Sequence, residues 1–514
     1  MPGTTFHSTR DVWYHNLEKF PRKTAVIFDC VPHTYAECDL LSDRLRRALA
    51  QQCGFKKGDR LAIAAPNCFE YFIAYWAAVK SGGVVAPVNI RLGTEELGLL
   101  IDRSDAETLI VHKSNWPALQ KAVAACPKLK HIVGIGFTDG ATPSFETMTA
   151  TGETWDHHPP IAEEDAGILL FTSGTTGIPK GAVMRHGELL FNNRLDIYAH
   201  ALEHSDVHLL VIPMFHPTPV YSMLPTAALT GATIVLAPRP DVAEIVDLIE
   251  KHRVTTFFGV PSLFRLLDAY SGLDKRDLRS LRLIAYAGSP MPPAVIRRLR
   301  ERFPRVRLHN FFGLSETISM THVLPDADAD TRPESIGKLL PHVRQRILSE
   351  DGRDLPPGEI GELHFHRDNV IGGYWKEPGL LEKSMRGEWF NTGDLALVDP
   401  DGYVYLKGRS KDMIKVAGEQ VYGVEVENCI MTHEKVMEAA VVGVPATGIR
   451  AHLGELVKAV IVARPGMTLT ESEIKRHCIE RLATYKVPQL IEFRADLPRN
   501  AGGKVLKRVL KEGG

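Results

Sequence analysis

No charge of either sign prevails in this chain of 514 residues, which carries 61 Lys+Arg against 62 Asp+Glu. That balance argues against nucleic acid or an anionic membrane surface as the main partner. Cysteine is sparse and unpaired: Cys30, Cys38, Cys53, Cys68, Cys126, Cys429 and Cys478 are an odd number with no C-x-x-C spacing. This excludes a disulfide frame or a zinc site and predicts reduced thiols in a cytoplasmic compartment. The N-terminus "MPGTTFHSTRDVW" lacks the basic-then-apolar order of a signal peptide. Residues 207–238 contain no Asp, Glu, Lys or Arg, a length that would permit a membrane span. Pro213, Pro217, Pro219 and Pro225 break that stretch, however, and His208 and His216 lie inside it. It reads as buried strands and loops around a cavity, with no membrane span. Internal repeats and low-complexity segments are missing as well.

A Walker-type phosphate loop is also lacking. G-x-x-x-x-G-K-[ST] needs Gly-Lys before a hydroxyl, and the two Gly-Lys pairs, Gly337-Lys338 and Gly503-Lys504, precede Leu and Val. What the chain does have is "FTSGTTGIPKGA" at 171–182, preceded by the apolar run "ILLF" at 168–171 that reads as a buried strand. Glycines let backbone N–H groups close on an anion, hydroxyls add donors, and Lys180 adds a point charge, a combination suited to a polyphosphate.

The length predicts roughly two to four domains. Strand-like runs alternate with helical patterns through the first 300 residues: "RLAIAAP", "GGVVAPVNI", "TLIVH", "HIVGIG", "TIVLAP", "TTFFGVP" and "LRLIAYAG". This is the rhythm of α/β sheets with crossover helices. Thr34-x-x-Glu37 and Thr470-x-x-Glu473 are capping boxes; the first opens a helix with Leu41, Leu45 and Leu49 on its apolar face, the second one with Ile474, Cys478, Ile479 and Leu482. "RRLRERFPRVR" at 297–307 reads as an amphipathic helix with a solvated basic face. From about 340 to 410 short strands and turns predict a smaller antiparallel unit, and the tail after Arg409 predicts a compact α+β domain. The expected class is α/β: a large N-terminal domain of stacked α/β sheets plus a small β unit over 1–410, and a small mobile α+β domain over 411–514, with its hinge at 410–411.

Further polar clusters follow in order: "NFFGLSET" at 310–317, "EWFNTGD" at 388–394, "KGRSKDMIKVAGEQV" at 407–421 and "LPRNAGGKVLKR" at 497–508. With the 171–182 loop, this series resembles the AMP-forming adenylate superfamily, which includes acyl-CoA synthetases, non-ribosomal adenylation domains and beetle luciferases. The likeness runs from "TYAECDLLSDRL" near 34 to "GGKVLKR" near 502.

The resemblance implies roles. Thr172, Ser173, Gly174, Thr175, Thr176, Gly177 and Lys180 match the loop that grips the ATP phosphates. Phe312 stands where a tyrosine usually stacks on adenine, and Ser315 where a threonine usually reaches the α-phosphate. Asn310, Phe311, Gly313 and Gly288 complete the adenosine side, with Lys415 from the tail. Glu316, with Thr172, matches the magnesium ligands. Asp394 matches the carboxylate that binds the ribose hydroxyls, and Arg409 its partner. His216 matches the gate of the carboxylate site, and Lys504 the lysine that stabilises the adenylation transition state. Lys411 matches the hinge, with Lys415 and Gly418 on the face that enters for the second step. Arg239, Ala417 and Gly418 match coenzyme A contacts. The acyl pocket is expected from Thr218, Ser222, Phe258, Val260 and Ala287, mostly apolar or small, with no Lys or Arg for a second carboxylate and no acid for an α-amino group. Two departures stand out: Gly423 replaces a usual proline, and the stretch before Gly454 carries a slightly longer insert.

These matches imply an acid–thiol ligase that uses ATP, Mg2+ and coenzyme A on a hydrophobic monocarboxylate, aromatic or aliphatic. The alternatives are a stand-alone enzyme that loads a carrier protein's phosphopantetheine, an oxidative luciferase, and a nucleotide-sensing module. That no carrier domain follows in the sequence favours free coenzyme A, and the end "KEGG", which is no peroxisomal signal, argues against the luciferase and plant-type readings. A homodimer is left open.

Overall fold

Short, apolar, β-branched runs buried on both faces make parallel sheets, and two such sheets organise the first part of the chain. The computed structural model describes residues 6–138, 143–150, 152, 155–172, 179–289, 291–318, 320–417, 419–499 and 505–512. One sheet orders its seven strands as Gly373–Tyr374, Lys180–Arg185, Ala166–Thr172, Val84–Pro87, Arg60–Ala64, Thr108–His112 and His131–Ile135. Its last five strands run parallel, and the first two add antiparallel. The other has nine, with a parallel centre of Thr24–Phe28, Thr233–Leu236, Val207–Leu210, Thr256–Gly259, Leu283–Tyr286 and Arg307–Phe312. Each strand-like run predicted from the sequence contributes one of these strands.

The helix Phe69–Lys80 is buried at every residue from Tyr71 to Lys80, as expected of a helix packed on all sides. The Tyr71 and Tyr75 hydroxyls donate to the carbonyls of Met214 and Val220, both at 3.0 Å. At its end Lys80 is 0% exposed, with Nζ 2.5 Å from Asp39 Oδ1 and 2.7 Å from Asp43 Oδ1. Arg46 Nε lies 2.6 Å from the same Asp43 oxygen. Asp39, Asp43 and Arg46 come from the helix Tyr35–Cys53, which begins at the predicted Thr34–Glu37 capping box. Two cations and two carboxylates are thus buried together, the condition under which such charges are tolerated.

The uncharged stretch 207–238 forms the strand Val207–Leu210, a π-helical turn Thr218–Met223, the helix Leu224–Thr230 and the strand Thr233–Leu236. Among the described residues no helix is long and apolar enough to cross a membrane. The basic cluster lies on the helix Pro293–Arg302 with Val295, Ile296 and Leu299 buried. Arg297, Arg298 and Arg302 are exposed, as expected of a solvated basic face, and Arg298 pairs with Asp268 and Arg300 with Asp326 and Asp330.

By backbone contacts the chain forms two compact units, Met1–Arg344 with His366–Glu388, and Gln345–Phe365 with Trp389–Gly514. The second holds the antiparallel pair Gln345–Leu348 and Gly361–His366 and the antiparallel pair Trp389–Val398 and Val404–Arg409. Its α+β part is a three-stranded sheet of Val436–Pro445, Glu455–Ala463 and Leu490–Phe493 under the helices Gly423–Met431 and Glu471–Ile479. This division differs from the expected 1–410 and 411–514. Helix Gly423–Met431 packs on strand Val404–Arg409, so the small sheet groups with the tail. Ile474 and Cys478 are buried as predicted, but Ile479 is 59% exposed, because it falls about 100° around the helix from Cys478.

Replacing Lys80 by Met leaves Asp39 and Asp43 sharing one fewer buried cation. The expected loss is about 3–5 kcal/mol, read as a lower midpoint in urea unfolding followed by the fluorescence of buried Trp13 and Trp76. An unchanged midpoint would show that the ion cluster does not hold the two helices together.

Candidate active site

The Gly/Thr-rich loop joins two antiparallel strands, Ala166–Thr172 and Lys180–Arg185, with Thr172 opposite Lys180. Ser173, Gly174, Thr175, Thr176 and Gly177 lie outside the described residues. The loop's two ends are held by this pairing, and the Thr172 hydroxyl donates to the Lys180 carbonyl at 3.5 Å. Lys180 Nζ sits 5.5 Å above the ring of Tyr374. The Tyr374 hydroxyl donates to Glu316 Oε1 at 3.0 Å. Burial and the neighbouring Glu316 charge raise the Tyr374 phenol far above its usual value, so it stays a donor. Lys180 and Glu316 thus meet the two sides of one tyrosine, Tyr374, that sequence reasoning missed, and Thr172 lies across the strand pair from Lys180.

Tyr374 is placed by its surroundings. The strand Gly373–Tyr374 pairs with Ala182 and Val183, and the Trp375 N–H donates to the Gly181 carbonyl at 2.7 Å. Trp375 Nε1 donates to Asp105 Oδ2 at 2.9 Å, and Lys376 and Lys128 each reach Asp105 at 2.5 Å. Burial would raise the Asp105 carboxyl, but hydrogen bonds from Lys128, Lys376 and Trp375 outweigh it and hold the group below its usual range.

The strand Arg307–Phe312 sends alternate side chains to opposite faces, as any strand does. Asn310 Nδ2 donates to the Ser335 carbonyl at 2.9 Å, and Phe312 meets His322 edge-on at 6.0 Å. His309 and Phe311 point the other way, toward His200 at ring distances of 5.3 and 5.7 Å. Phe311, expected with the nucleotide group, therefore lines a separate cavity. Gly313 and Ser315 are half-buried in the turn that follows, where the Leu314 N–H donates to Thr317 Oγ1 at 2.9 Å. Gly288 is exposed with φ +89°, and a Cβ there would meet nothing within 4 Å, so the backbone conformation, not crowding, favours glycine.

That cavity has an apolar wall of Leu202, Met223, Phe258 and Phe311 and a polar one of Asp196, His200, His208, Thr218, Ser222 and Thr226. Thr218, Ser222 and Phe258 line it as expected. Val260, 45% exposed, and the half-buried Ala287 are not in its lining. The expectation of a pocket without an acidic residue is corrected: Asp196 reaches it from the helix His186–His200, more than twenty residues before the stretches expected to build it. Thr226 Oγ1 donates to Asp196 Oδ2 at 3.2 Å, and Asn192 Nδ2 at 3.3 Å. His208 Nδ1 lies 2.5 Å from Thr256 Oγ1. Burial lowers both His208 and His309 to about 4 and keeps their rings neutral at physiological pH. No Lys or Arg is in the lining among the described residues. His216, lowered to about 4 by burial and by nearby Arg91, is half-buried and outside this lining. Arg239 is exposed just beyond the strand Thr233–Leu236.

In the second unit Asp394 and Arg409 face each other on paired strands, with Arg409 Nε 2.7 Å from Asp394 Oδ1. Arg409 Nη1 also donates to the Thr392 carbonyl at 3.2 Å. Lys411 is exposed in the turn Ser410–Asp412, and Lys415 in the strand Ile414–Val416. Exposed Ala417 has φ 51° and donates its N–H to the Leu453 carbonyl at 2.7 Å, so the predicted insert docks on this edge. Gly423, at the proline position, is the first residue of its helix. Gly418 and Lys504 lie outside the described residues.

A family model described as AMP-binding enzyme matches residues 13–375, and one described as AMP-binding enzyme C-terminal domain matches 425–504. A feruloyl-CoA synthase of an Amycolatopsis species is 33% identical over 487 residues, 95% of this chain and 95% of that protein. The fatty acid–[acyl-carrier-protein] ligase ScoC of Streptomyces coeruleorubidus is 32% identical over 523 residues, 99% of this chain and 95% of that protein. The crystal structure of the anthranilate CoA ligase AuaEII in complex with anthranoyl-AMP matches with a TM-score of 0.90 at 27% identity, covering 99% of this chain and 97% of that one.

Burial pushes the Asp196 carboxyl from 3.8 up to about 7, against hydrogen bonds from Ser222, Thr226 and Asn193. Between those values the native protein holds a proton that the unfolded chain has lost. The stability it contributes is complete in acid and is lost as pH rises through about 7. The melting-temperature difference between the protein and Asp196→Asn should therefore fall from about pH 5 to about pH 8. A pH-independent difference would mean that Asp196 is ionised throughout.

Proposed function

The chain belongs to the AMP-binding enzyme family and is an AMP-forming acid–thiol ligase; from that premise we propose that it joins a hydrophobic monocarboxylate, aromatic or medium- to long-chain aliphatic, to coenzyme A. The observation that carries this reading is the double service of one strand and its turn. Phe311 lines a cavity, while Glu316, in the turn, meets Tyr374 beside Lys180 at the ends of the Gly/Thr loop. The same strand and turn thus serve both the cavity and the end of the Gly/Thr loop.

In the first step a carboxylate oxygen attacks the α-phosphorus of ATP, and the bond to the β-phosphate breaks to release pyrophosphate. Thr172, the 173–177 loop and Lys180 bind the phosphates, Phe312 stacks on adenine, and Asp394 with Arg409 holds the ribose. His216 gates the carboxylate. Glu316 and the Thr172 hydroxyl would hold magnesium. Glu316 Oε1 is occupied by Tyr374, which orients the carboxylate and leaves Oε2 for a metal. Magnesium is commonly held by one or two carboxylates together with waters and substrate phosphates. Bound there, magnesium supplies charge neutralisation to the phosphates. Lys504 offsets charge at the α-phosphate, where two anions must meet. In the second step a thiolate attacks the acyl carbonyl and the bond to AMP breaks. Arg239, Ala417 and Gly418 serve coenzyme A in this step.

Lys504 and the thiol must serve the same carbonyl in succession, so the residues after a hinge at 410–411 rotate between the steps. A carrier protein's phosphopantetheine as acceptor is the second reading; the likeness to ScoC is what keeps it, while the other relatives named are CoA ligases.

Acid-dependent ATP–pyrophosphate exchange, followed by thioester formation with coenzyme A or with a holo carrier protein, tests the reading; amino acids exchanging faster than cinnamates, benzoates and fatty acids would overturn it. Lys504→Ala should slow adenylation by roughly 10²–10³ and spare thioester formation from synthetic acyl-AMP. Lys411→Pro, by fixing φ near −65°, should do the opposite. Equal damage to both steps by either variant would contradict a rotating hinge.

A further inference from the structure

The cavity is too polar at one side for a purely hydrocarbon acyl group. Asp196 and His200 come from one helix, His208 from the strand Val207–Leu210 and Thr226 from the helix Leu224–Thr230. Three separate elements thus turn polar groups onto a space whose other wall is Phe258, Phe311, Met223 and Leu202. These groups are buried: Asp196 is 6% exposed, His208 3% and Thr226 2%. Among the described residues His208 Nε2 is buried with no hydrogen-bond partner, while Nδ1 is taken by Thr256. An unmade hydrogen bond in such a place costs about 1–3 kcal/mol, so an alkyl or plain aryl tail would leave that cost standing.

Charge narrows the occupant. A second carboxylate would meet Asp196, with no Lys or Arg in the described lining to receive it. An ammonium would have only Asp196 to pair with, a carboxyl that burial pushes up to about 7 and so leaves partly protonated. A hydroxyl is uncharged, and it can donate to one partner while accepting from another. It therefore suits either tautomer of His208 and either protonation state of Asp196.

We propose that the acid activated by this enzyme carries an uncharged hydroxyl remote from its carboxylate, received in the acyl cavity by Asp196 and His208. The proposal rests on the ligase reading above and names the class of acid within it. Asp196 and His208 act as specificity-determining residues, distant from the bond that forms.

The test is pyrophosphate exchange by the full-length enzyme with matched acids: 4-hydroxycinnamate against cinnamate, 4-methylcinnamate and 4-aminocinnamate, and 8-hydroxyoctanoate against octanoate. In at least one series the hydroxy acid should exceed its deoxy partner by about 10²-fold or more in kcat/KM, since sites that hydrogen-bond a hydroxyl reject analogues lacking it. Asp196→Leu and His208→Leu should each bring that ratio to within about threefold of one, as the built hydroxyl site is removed. If Asp196→Leu does not fold, His208→Leu carries the test. Deoxy acids exchanging as fast as hydroxy acids in both series, a preference for 4-aminocinnamate, or a ratio unchanged in His208→Leu would each overturn the proposal while leaving the ligase reading intact. Silence of the whole panel would overturn both.

Discussion

An irregular backbone that walls a cavity must find hydrogen-bond partners without water, and the segment 211–223 depends on other elements for them. Asn67 donates to the carbonyls of Ile212 and Ala237 and accepts from the Met214 N–H. Tyr71 and Tyr75 take the Met214 and Val220 carbonyls, and Asn192 and Asn193 both donate to that of Tyr221. Three prolines, Pro213, Pro217 and Pro219, fall in this segment and deny it regular pairing. Amide and phenol side chains from two buried helices stand in for the missing ladder. The π-helical turn at Thr218–Met223 fits this setting, since such turns recur at functional sites. It brings Thr218, Ser222 and Met223 to the cavity.

Charge is managed by the same economy. Where the interior holds ions it holds them in sets, Lys80 and Arg46 with Asp39 and Asp43. At the sheet edge Asp105 gathers Lys128, Lys376 and Trp375 and so fixes the strand that presents Tyr374. Glu316 is then oriented by a neutral phenol, with the cation of Lys180 above the same ring. The cavity, by contrast, contains no cation among its described lining residues, and burial keeps its histidines uncharged.

The strands and capping boxes were legible because each rests on local physics. Alternation, apolar runs and the Thr34–Glu37 and Thr470–Glu473 pairs act within a few residues. Thr172 and Lys180 could be singled out because glycines, hydroxyls and a lysine lie close together at 171–182, whereas Glu316 was singled out only by the resemblance of the 310–317 cluster to the family. Tyr374 was not. It belongs to a two-residue strand with no periodicity to read, and its role arises only from pairing with Ala182 and Val183.

The sequence by itself determined the α/β class, through strand and helix patterns along the chain, and the family, through the resemblance of its ordered motifs. Only the tertiary structure decided that Phe311 serves the cavity, since the face of a strand is set by which neighbours it packs against. Only it put Asp196, His200 and His208 in one cavity with Thr226 and Phe258, because they come from separate elements up to some sixty residues apart. It also grouped the small sheet with the tail, because the helix Gly423–Met431 packs on the strand Val404–Arg409. Contacts between distant segments are made by packing, and no local pattern records them.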